Sequence, residues 1–262
     1  MYTDFIKCGD SAKLLKELPD ESIDLTITSP PYDNLRTYNG YSFDFETIAK
    51  ELYRVTRAGG VIVWIVADGV ENGSETGTSF RQALYFKEIG FNIHDTMIWL
   101  KNSSAFPESV RYSQVFEYMF ILSKGKPKTF NPIRDRLNIY AGTKVHGTRR
   151  QKDGNLIKES RSTIFEPYGF RFNVWSIPCE SCNNTGHPAV FPPQLAKDNI
   201  ITWSNKGDIV LDCFLGSGTT ALEAYKLKRH YIGFEISKEY FNIASERLKI
   251  EKSQIDIFDI LE

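Results

Sequence analysis

The sequence predicts an α/β fold: an open, mostly parallel, doubly wound sheet with an antiparallel edge pair and one inserted region. Three observations carry this expectation. Short apolar runs alternate with helix-periodic stretches at the start of the chain, as strands do when crossover helices cover both faces of a sheet. The alternation returns near the end of the chain, with a glycine turn between strand and helix. Between the two lies a basic stretch of weak period.

The first strand is DFIKC, Asp4 to Cys8. SAKLLKELPDES then predicts a helix with Leu14, Leu15 and Leu18 on one face. DLTIT, Asp24 to Thr28, predicts the second strand, which stops at Ser29-Pro30-Pro31-Tyr32 because proline has no N–H for a ladder. FDFETIAKELYRVTRAGG predicts a helix ended by Gly59-Gly60, and GVIVWIV, Gly60 to Val66, a third strand. FNIHDTMIWLK and FEYMFILSK predict the antiparallel pair. Lys124 to Arg171, rich in Gly, Asn and Thr, reads as an insertion of loops, partly mobile when unbound. FPPQLAKDNIITWSN predicts a helix starting near Pro192 or Pro193, since proline suits a first turn. DIVLDCF, GSGTTALEAYKLKR, HYIGFEIS and KEYFNIASERLKIEK follow as strand, turn with helix, strand and helix. The expected division is 1–123, an insertion over 124–176, and 177–262 rejoining the first part.

Composition narrows the function classes. A chain of 262 residues, 41% hydrophobic and 25% charged, suits one large globular domain carrying an insertion. No apolar run reaches the ~20 residues of a membrane span, so no membrane role is expected. The first residues lack a basic-then-apolar secretory pattern, and four cysteines make no disulfide scaffold, so a reducing cytoplasm is expected. The net charge of −1 hides an uneven distribution. Lys124 to Arg171 holds 12 Lys/Arg against 4 Asp/Glu, a local net of +8 in an otherwise acidic chain. Such an island is either a solvated loop region or a surface that meets phosphates.

VLDCFLGSGTTALEA reads as strand, tight glycine turn and helix. Gly216 and Gly218 permit positive φ and a close ligand approach, and the helix start offers free N–H groups. No lysine follows, which excludes a phosphate loop, and Ala221 stands where a dinucleotide fingerprint wants its third glycine. A turn of this kind can also simply pack helix on strand. Glu235, at the end of YIGFE and seventeen residues after Gly218, adds an acceptor for ribose hydroxyls. Together they predict a nucleoside-type cofactor at the carboxyl edge of the sheet.

DCFLGSGTT, with GFEIS after it and TSPPY before it, resembles the S-adenosylmethionine-dependent amino-methyltransferases of DNA. The order of target motif, basic insertion and cofactor motif resembles their β group, a circular permutation of the Rossmann-like methyltransferase fold. HPAVFPPQLAKDNI is similar to that group's cofactor-flanking segment, and the resemblance covers nearly the whole chain except the basic insertion. It implies S-adenosyl-L-methionine as cofactor and double-stranded DNA as partner, with a restriction endonuclease as a further candidate partner. It also implies that DFIKC lies beside YIGFE, which brings Asp10 to the adenosine edge of the cofactor. Asp10 reads equally as an N-cap for SAKLLKEL, and the two roles are compatible. By the same resemblance Phe214 walls the adenosyl pocket, although it also suits a core. Asp212, Thr219 and Thr220 lie near the methionine end.

Ser29-Pro30-Pro31-Tyr32 then acquires a chemical reading beside that of a rigid strand-end turn. An exocyclic base amine is a poor nucleophile because its lone pair is delocalised into the ring. Acceptors aimed at its N–H groups, the Ser29 hydroxyl and the Pro30 carbonyl, would draw it toward tetrahedral geometry. Tyr32 offers a face on which an extruded base stacks, worth roughly 1–3 kcal/mol. In the family, Ser at the first motif position goes mostly with cytosine, so the resemblance implies cytosine N4 ahead of adenine N6. Arg36, Lys144, Arg149, Arg150 and Lys152 are candidate DNA contacts.

Other signals are weaker. Pro178-Cys179 resembles the nucleophile of cytosine-carbon methyltransferases but precedes the cofactor motif instead of following it. Cys179-x2-Cys182 with His187 lacks a fourth ligand, so no metal is expected. Rival readings are an RNA or protein-amide methyltransferase and a non-catalytic nucleic-acid-binding relative. Oligomeric state, monomer or homodimer, is open at this stage.

Overall fold

The computed structural model describes residues 3–31, 43–102, 110–179 and 191–254. Tyr32 and Arg36, with Cys182 and His187, lie outside the described residues. By internal contacts the chain divides into Met1–Asn131 with Val174–Glu262, and a second unit, Pro132–Asn173.

In chain order the first unit contains β1 (Phe5–Cys8), α1 (Ser11–Leu14), β2 (Ile23–Thr28), α2 (Phe45–Val55), β3 (Thr56–Val66) and a two-residue hairpin, β4 (Val70–Glu71) and β5 (Ser74–Glu75). α3 (Thr78–Glu88), β6 (Asn92–Leu100) and β7 (Phe116–Ser123) follow. The second unit contains β8 (Arg134–Leu137), β9 (Lys144–Arg150), β10 (Leu156–Ile164) and β11 (Tyr168–Phe170). The chain returns to the first unit with β12 (Val174–Ser176), α4 (Pro193–Trp203), β13 (Ile209–Asp212), α5 (Thr219–Lys226), β14 (His230–Glu235) and α6 (Lys238–Ser253).

Eight strands form one sheet in the order β1-β14-β13-β2-β3-β7-β6-β12. All neighbours are parallel except the two pairs that β7 makes, with β3 and with β6. The parallel strands bring Cys8, Thr28, Val66, Asp212 and Glu235 to one edge, the carboxyl edge, although they are scattered along the chain. Helices cover both faces. α1 and α2 touch each other, and α3 joins them where Phe45 meets Phe86 at a centroid distance of 5.4 Å. α4, α5 and α6 form a second run of contacts. α2 buries Ile48, Ala49, Leu52 and Val55, the spacing of one helix face.

Several expectations shift in detail. The first helix is shorter than predicted: α1 ends at Leu14 and a 3-10 turn continues through Glu17. α2 ends at Val55 rather than at Gly59-Gly60. Thr56 takes an extended conformation and its hydroxyl donates to the Leu52 carbonyl at 2.6 Å, closing the last turn, so β3 begins four residues earlier than Gly60. The antiparallel pair does not form the rim, because β12 adds parallel to β6. The loops expected between Lys124 and Arg171 include two antiparallel pairings, β9 with β10 as a hairpin and β8 with β11 across it. Polar strands such as KVHGTRR carry no apolar alternation, so period alone does not mark them.

Candidate active site

The predicted site residues of the first unit gather at the carboxyl edge. β13 pairs with β14 on one side and with β2 on the other, which sets the cofactor motif beside the Ser-Pro-Pro corner. The link between them is a hydrogen bond. The Thr28 hydroxyl, one residue before Ser29, donates to Asp212 Oδ1 at 2.7 Å. Ser29 follows half-buried and Pro30 buried. A second tie runs from the buried Ser11 hydroxyl to the Cys213 carbonyl, holding the start of α1 against the end of β13.

The glycine turn is held from three sides. Gly216 and Gly218 have φ of 54° and 87°, so the loop uses the conformation that glycine favours. Glu235, 8% exposed, accepts from the Gly216 N–H at 2.7 Å and from the Ser237 N–H at 2.8 Å. The Ile236 N–H is a third backbone donor to this carboxylate, which leaves it capacity for one further partner. From α6, Arg247 donates to the Ser217 carbonyl at 2.5 Å and to its hydroxyl at 3.1 Å. Gly218 also lets α6 approach: a Cβ there would stand 2.8 Å from Ala244 Cβ.

Burial sets the charge state of this edge. Asp212 is 6% exposed, and burial pushes its carboxyl up to about 6, against the Thr220, Thr28 and Phe214 hydrogen bonds that favour the charged form. Burial raises Glu235 as well. Asp10 caps α1, accepting from the Ala12 N–H at 2.9 Å. The Gly9 N–H donates to the Glu235 carbonyl at 2.9 Å, so Asp10 stands beside the end of β14. Phe214 is half-buried, edge-on to Phe43 at 5.3 Å and to Trp64 at 6.4 Å, so it packs against the core as well as bounding the edge. Thr219 and Thr220 are buried in the first turn of α5. Three carboxylates, a half-buried ring and a tight glycine turn make a donor set suited to a nucleoside carrying hydroxyls and positive charge.

Sequence reasoning overlooked the residues that support this set. Thr28, Ser11 and Arg247 act through hydrogen bonds to partners that the fold supplies. Only Thr28 had a local signal, its place just before the proline corner. At the same edge, Lys101 Nζ lies 3.1 Å from Glu117 Oε1, with side-chain exposures of 20% and 10%. Cys179 donates its N–H to Asn102 Oδ1 at 3.2 Å, and burial raises its thiol, which keeps it protonated. In the second unit Lys144, Arg149, Arg150 and Lys152 are exposed, on or just after β9.

A Rossmann-like α/β sheet whose carboxyl edge joins a glycine turn, an acidic strand end and a Ser-Pro-Pro corner defines the amino-methyltransferase class. The DNA methylase family of N6- and N4-methyltransferases matches residues 23–246, and the chain belongs to it. The orphan methyltransferase M.BamHII of Bacillus amyloliquefaciens is 57% identical over 242 residues, covering 89% of this chain and 91% of that one. The crystal structure of the M1.HpyAVI–SAM complex superimposes with a TM-score of 0.60 at 25% identity, over 92% of this chain and 98% of that one. The cytosine-N4-specific PvuII DNA methyltransferase gives a TM-score of 0.68 at 21% identity, over 97% and 91%, a likeness of fold. Among the described residues no helix is long and apolar enough to cross a membrane.

Proposed function

We propose that this DNA methyltransferase transfers a methyl group from S-adenosyl-L-methionine to the exocyclic amine of a base turned out of duplex DNA, cytosine N4 ahead of adenine N6. The observation that carries the reading is the Thr28–Asp212 hydrogen bond, which ties the strand ending at the Ser-Pro-Pro corner to the strand that opens the glycine turn.

When bound, S-adenosylmethionine supplies an electrophilic methyl carbon on a sulfonium. The chain's own residues bind and orient. Asp10 and Glu235 accept from ribose hydroxyls, and Phe214 bounds the adenine. Gly216, Gly218, Thr219, Thr220 and Asp212 surround the methionine end, where ionised Asp212 complements positive charge. The Ser29 hydroxyl and the Pro30 carbonyl accept from the amine N–H groups of the base. Pro31 stiffens the corner and Tyr32 stacks on the base. No covalent enzyme–base adduct is needed, in keeping with a Cys179 thiol that stays protonated. The unit Pro132–Asn173 serves as the recognition region, within the insertion read as 124–176 between two parts of one permuted catalytic domain. Its Lys144, Arg150 and Lys152, with Arg36 of the first unit, contact phosphates, while Arg149, on the other face of β9, adds to the general positive charge that draws DNA in. The preference for cytosine rests on Ser29. A restriction endonuclease is a candidate partner beside duplex DNA, since type II methyltransferases are among the relatives, although M.BamHII is an orphan; a DNA substrate suits an enzyme acting in the cytoplasm.

The test is transfer of tritiated methyl from S-adenosylmethionine into duplex DNA, followed by digestion and identification of the labelled nucleoside. N4-methylcytosine is expected. N6-methyladenine would overturn the base assignment, and label confined to RNA or protein would overturn the whole reading.

A further inference from the structure

Resting on that reading, the geometry points to Arg134 and Arg136 as a pair of guanine-reading side chains, presented in the major groove by the β8–β11 ribbon. The unit Pro132–Asn173 carries nine Lys/Arg against four Asp/Glu, a net of +5, which suits a polyanion. Within it the two ribbons differ. On β9 the cations lie along a charged strand. On β8 the arginines are already set in place.

Arg134 and Arg136 stand two apart on one strand, so they share a face, with Asp135 on the other. Arg134 Cζ lies 4.4 Å from the centre of the Phe170 ring, and Arg136 Cζ lies 4.6 Å from that of Phe172. Those rings are 45% and 66% exposed. Leaving two phenylalanines in water is unfavourable unless something covers them, and here each carries a guanidinium. Arg136 is held further by its Nε, which donates to the Phe170 carbonyl at 3.0 Å. Gly169 stands opposite Arg136 in the register, and a Cβ there would lie 2.2 Å from Arg136 Nη2. The bare glycine is therefore what lets the guanidinium lie across the strand. The nearby carboxylate is occupied: Asp135 accepts from Arg171 at 2.5 Å, which holds its carboxyl below the usual range. Among the described residues Arg134 has no hydrogen-bond acceptor, and the Nη groups of Arg136 have none either.

A stacked arginine presents a flat fork of donors with little rotamer freedom left to lose. That fork matches the O6 and N7 acceptors on the major-groove edge of guanine. Two residues along a strand span about 6.7 Å, close to two base-pair steps of about 3.4 Å, and a two-stranded ribbon fits the major groove.

The test is to methylate a library of randomised duplexes with the full chain and map the modified sites. The preferred site is expected to contain guanine, and replacing that guanine with 7-deazaguanine should slow methylation. Arg134→Gln and Arg136→Gln should each lower discrimination at one guanine roughly five- to 150-fold. Gly169→Ala should act like Arg136→Gln, because it displaces the guanidinium from a backbone that tolerates alanine. Methylation of duplexes lacking the guanine at the rate of the unaltered protein shows that each variant keeps its recognition unit folded. A preferred site without guanine, or equal loss on every sequence with selectivity intact, would overturn the proposal. Cofactor binding by the unaltered protein without methyl transfer to any duplex would overturn the functional reading along with it.

Discussion

At the carboxyl edge of the sheet Asp212, Ser217, Thr219, Thr220 and Glu235 are all less than a tenth exposed, and Asp212 and Glu235 each accept backbone N–H groups. In Pro132–Asn173 the large side chains stand outward: Leu137, Ile139, Tyr168, Phe170 and Phe172 are all exposed. The difference follows from what each region touches. Groups that orient a small molecule must be fixed to tenths of an ångström, so the fold buries them and gives their polar atoms partners. Groups that meet a long charged polymer need reach and charge, which two polar ribbons supply with little core.

The largest effect should come from the edge. Ser29→Ala is expected to lower turnover about 10²- to 10³-fold while cofactor affinity stays put, because it removes an acceptor for the amine and leaves the glycine turn untouched. Single-turnover methylation alongside calorimetric titration of S-adenosylmethionine separates the two. An undiminished rate would strip Ser29 of its role.

Glycines offer a matched pair across the two regions. Gly218→Ala meets both a φ of 87° and the Ala244 methyl, and should cost about 2–4 kcal/mol in urea unfolding. Gly147→Ala, on β9, meets nothing within 4 Å and should stay within about 0.5 kcal/mol. Similar costs at both positions would erase the contrast.

Asp212 makes the edge sensitive to pH. Its folded carboxyl, raised by burial to about 6, holds a proton over a range in which the unfolded chain has lost it. Through this group alone, stability of the ligand-free protein should fall by up to about 3 kcal/mol as pH rises from the ordinary carboxylate range to about 6, then level off. Asp212→Asn should remove that slope. The difference between the two melting-temperature profiles reads it, and parallel profiles would mean that Asp212 titrates normally.

The same contrast explains what could be read from the sequence. Strand ends, the proline corner and the glycine turn are local: VLDCFLGSGTT and TSPPY announce themselves in a few residues. The partners that hold them are not local. Thr28 and Asp212 are 184 residues apart, and Arg247 reaches Ser217 from α6, thirty residues further along the chain. The ribbons of the basic stretch escaped because their register comes from backbone pairing, as Gly169 opposite Arg136 shows, rather than from apolar alternation. Charge counting found the region, and coordinates were needed to separate stacked arginines from those lying along a strand.

That separation makes the smallest prediction the sharpest. Counting charge alone, Lys144, Arg149 and Arg150 are equivalent. β9 makes them unequal, because successive residues of a strand face opposite sides, so Lys144 and Arg150 share a face and Arg149 points away from it. A ribbon laid on a duplex presents one face, and the face with two cations has the larger pull. Replacing Lys144 and Arg150 together by glutamine should lower the slope of log affinity against log salt by about 1.8, at about 0.9 per phosphate contact. Arg149→Gln should leave the slope where it was. Fluorescence anisotropy on a duplex over a salt series measures both. A drop from Arg149→Gln as large as half that of the double variant would mean that the cations of β9 act as diffuse charge, and the hairpin would lose its claim to a defined contact face.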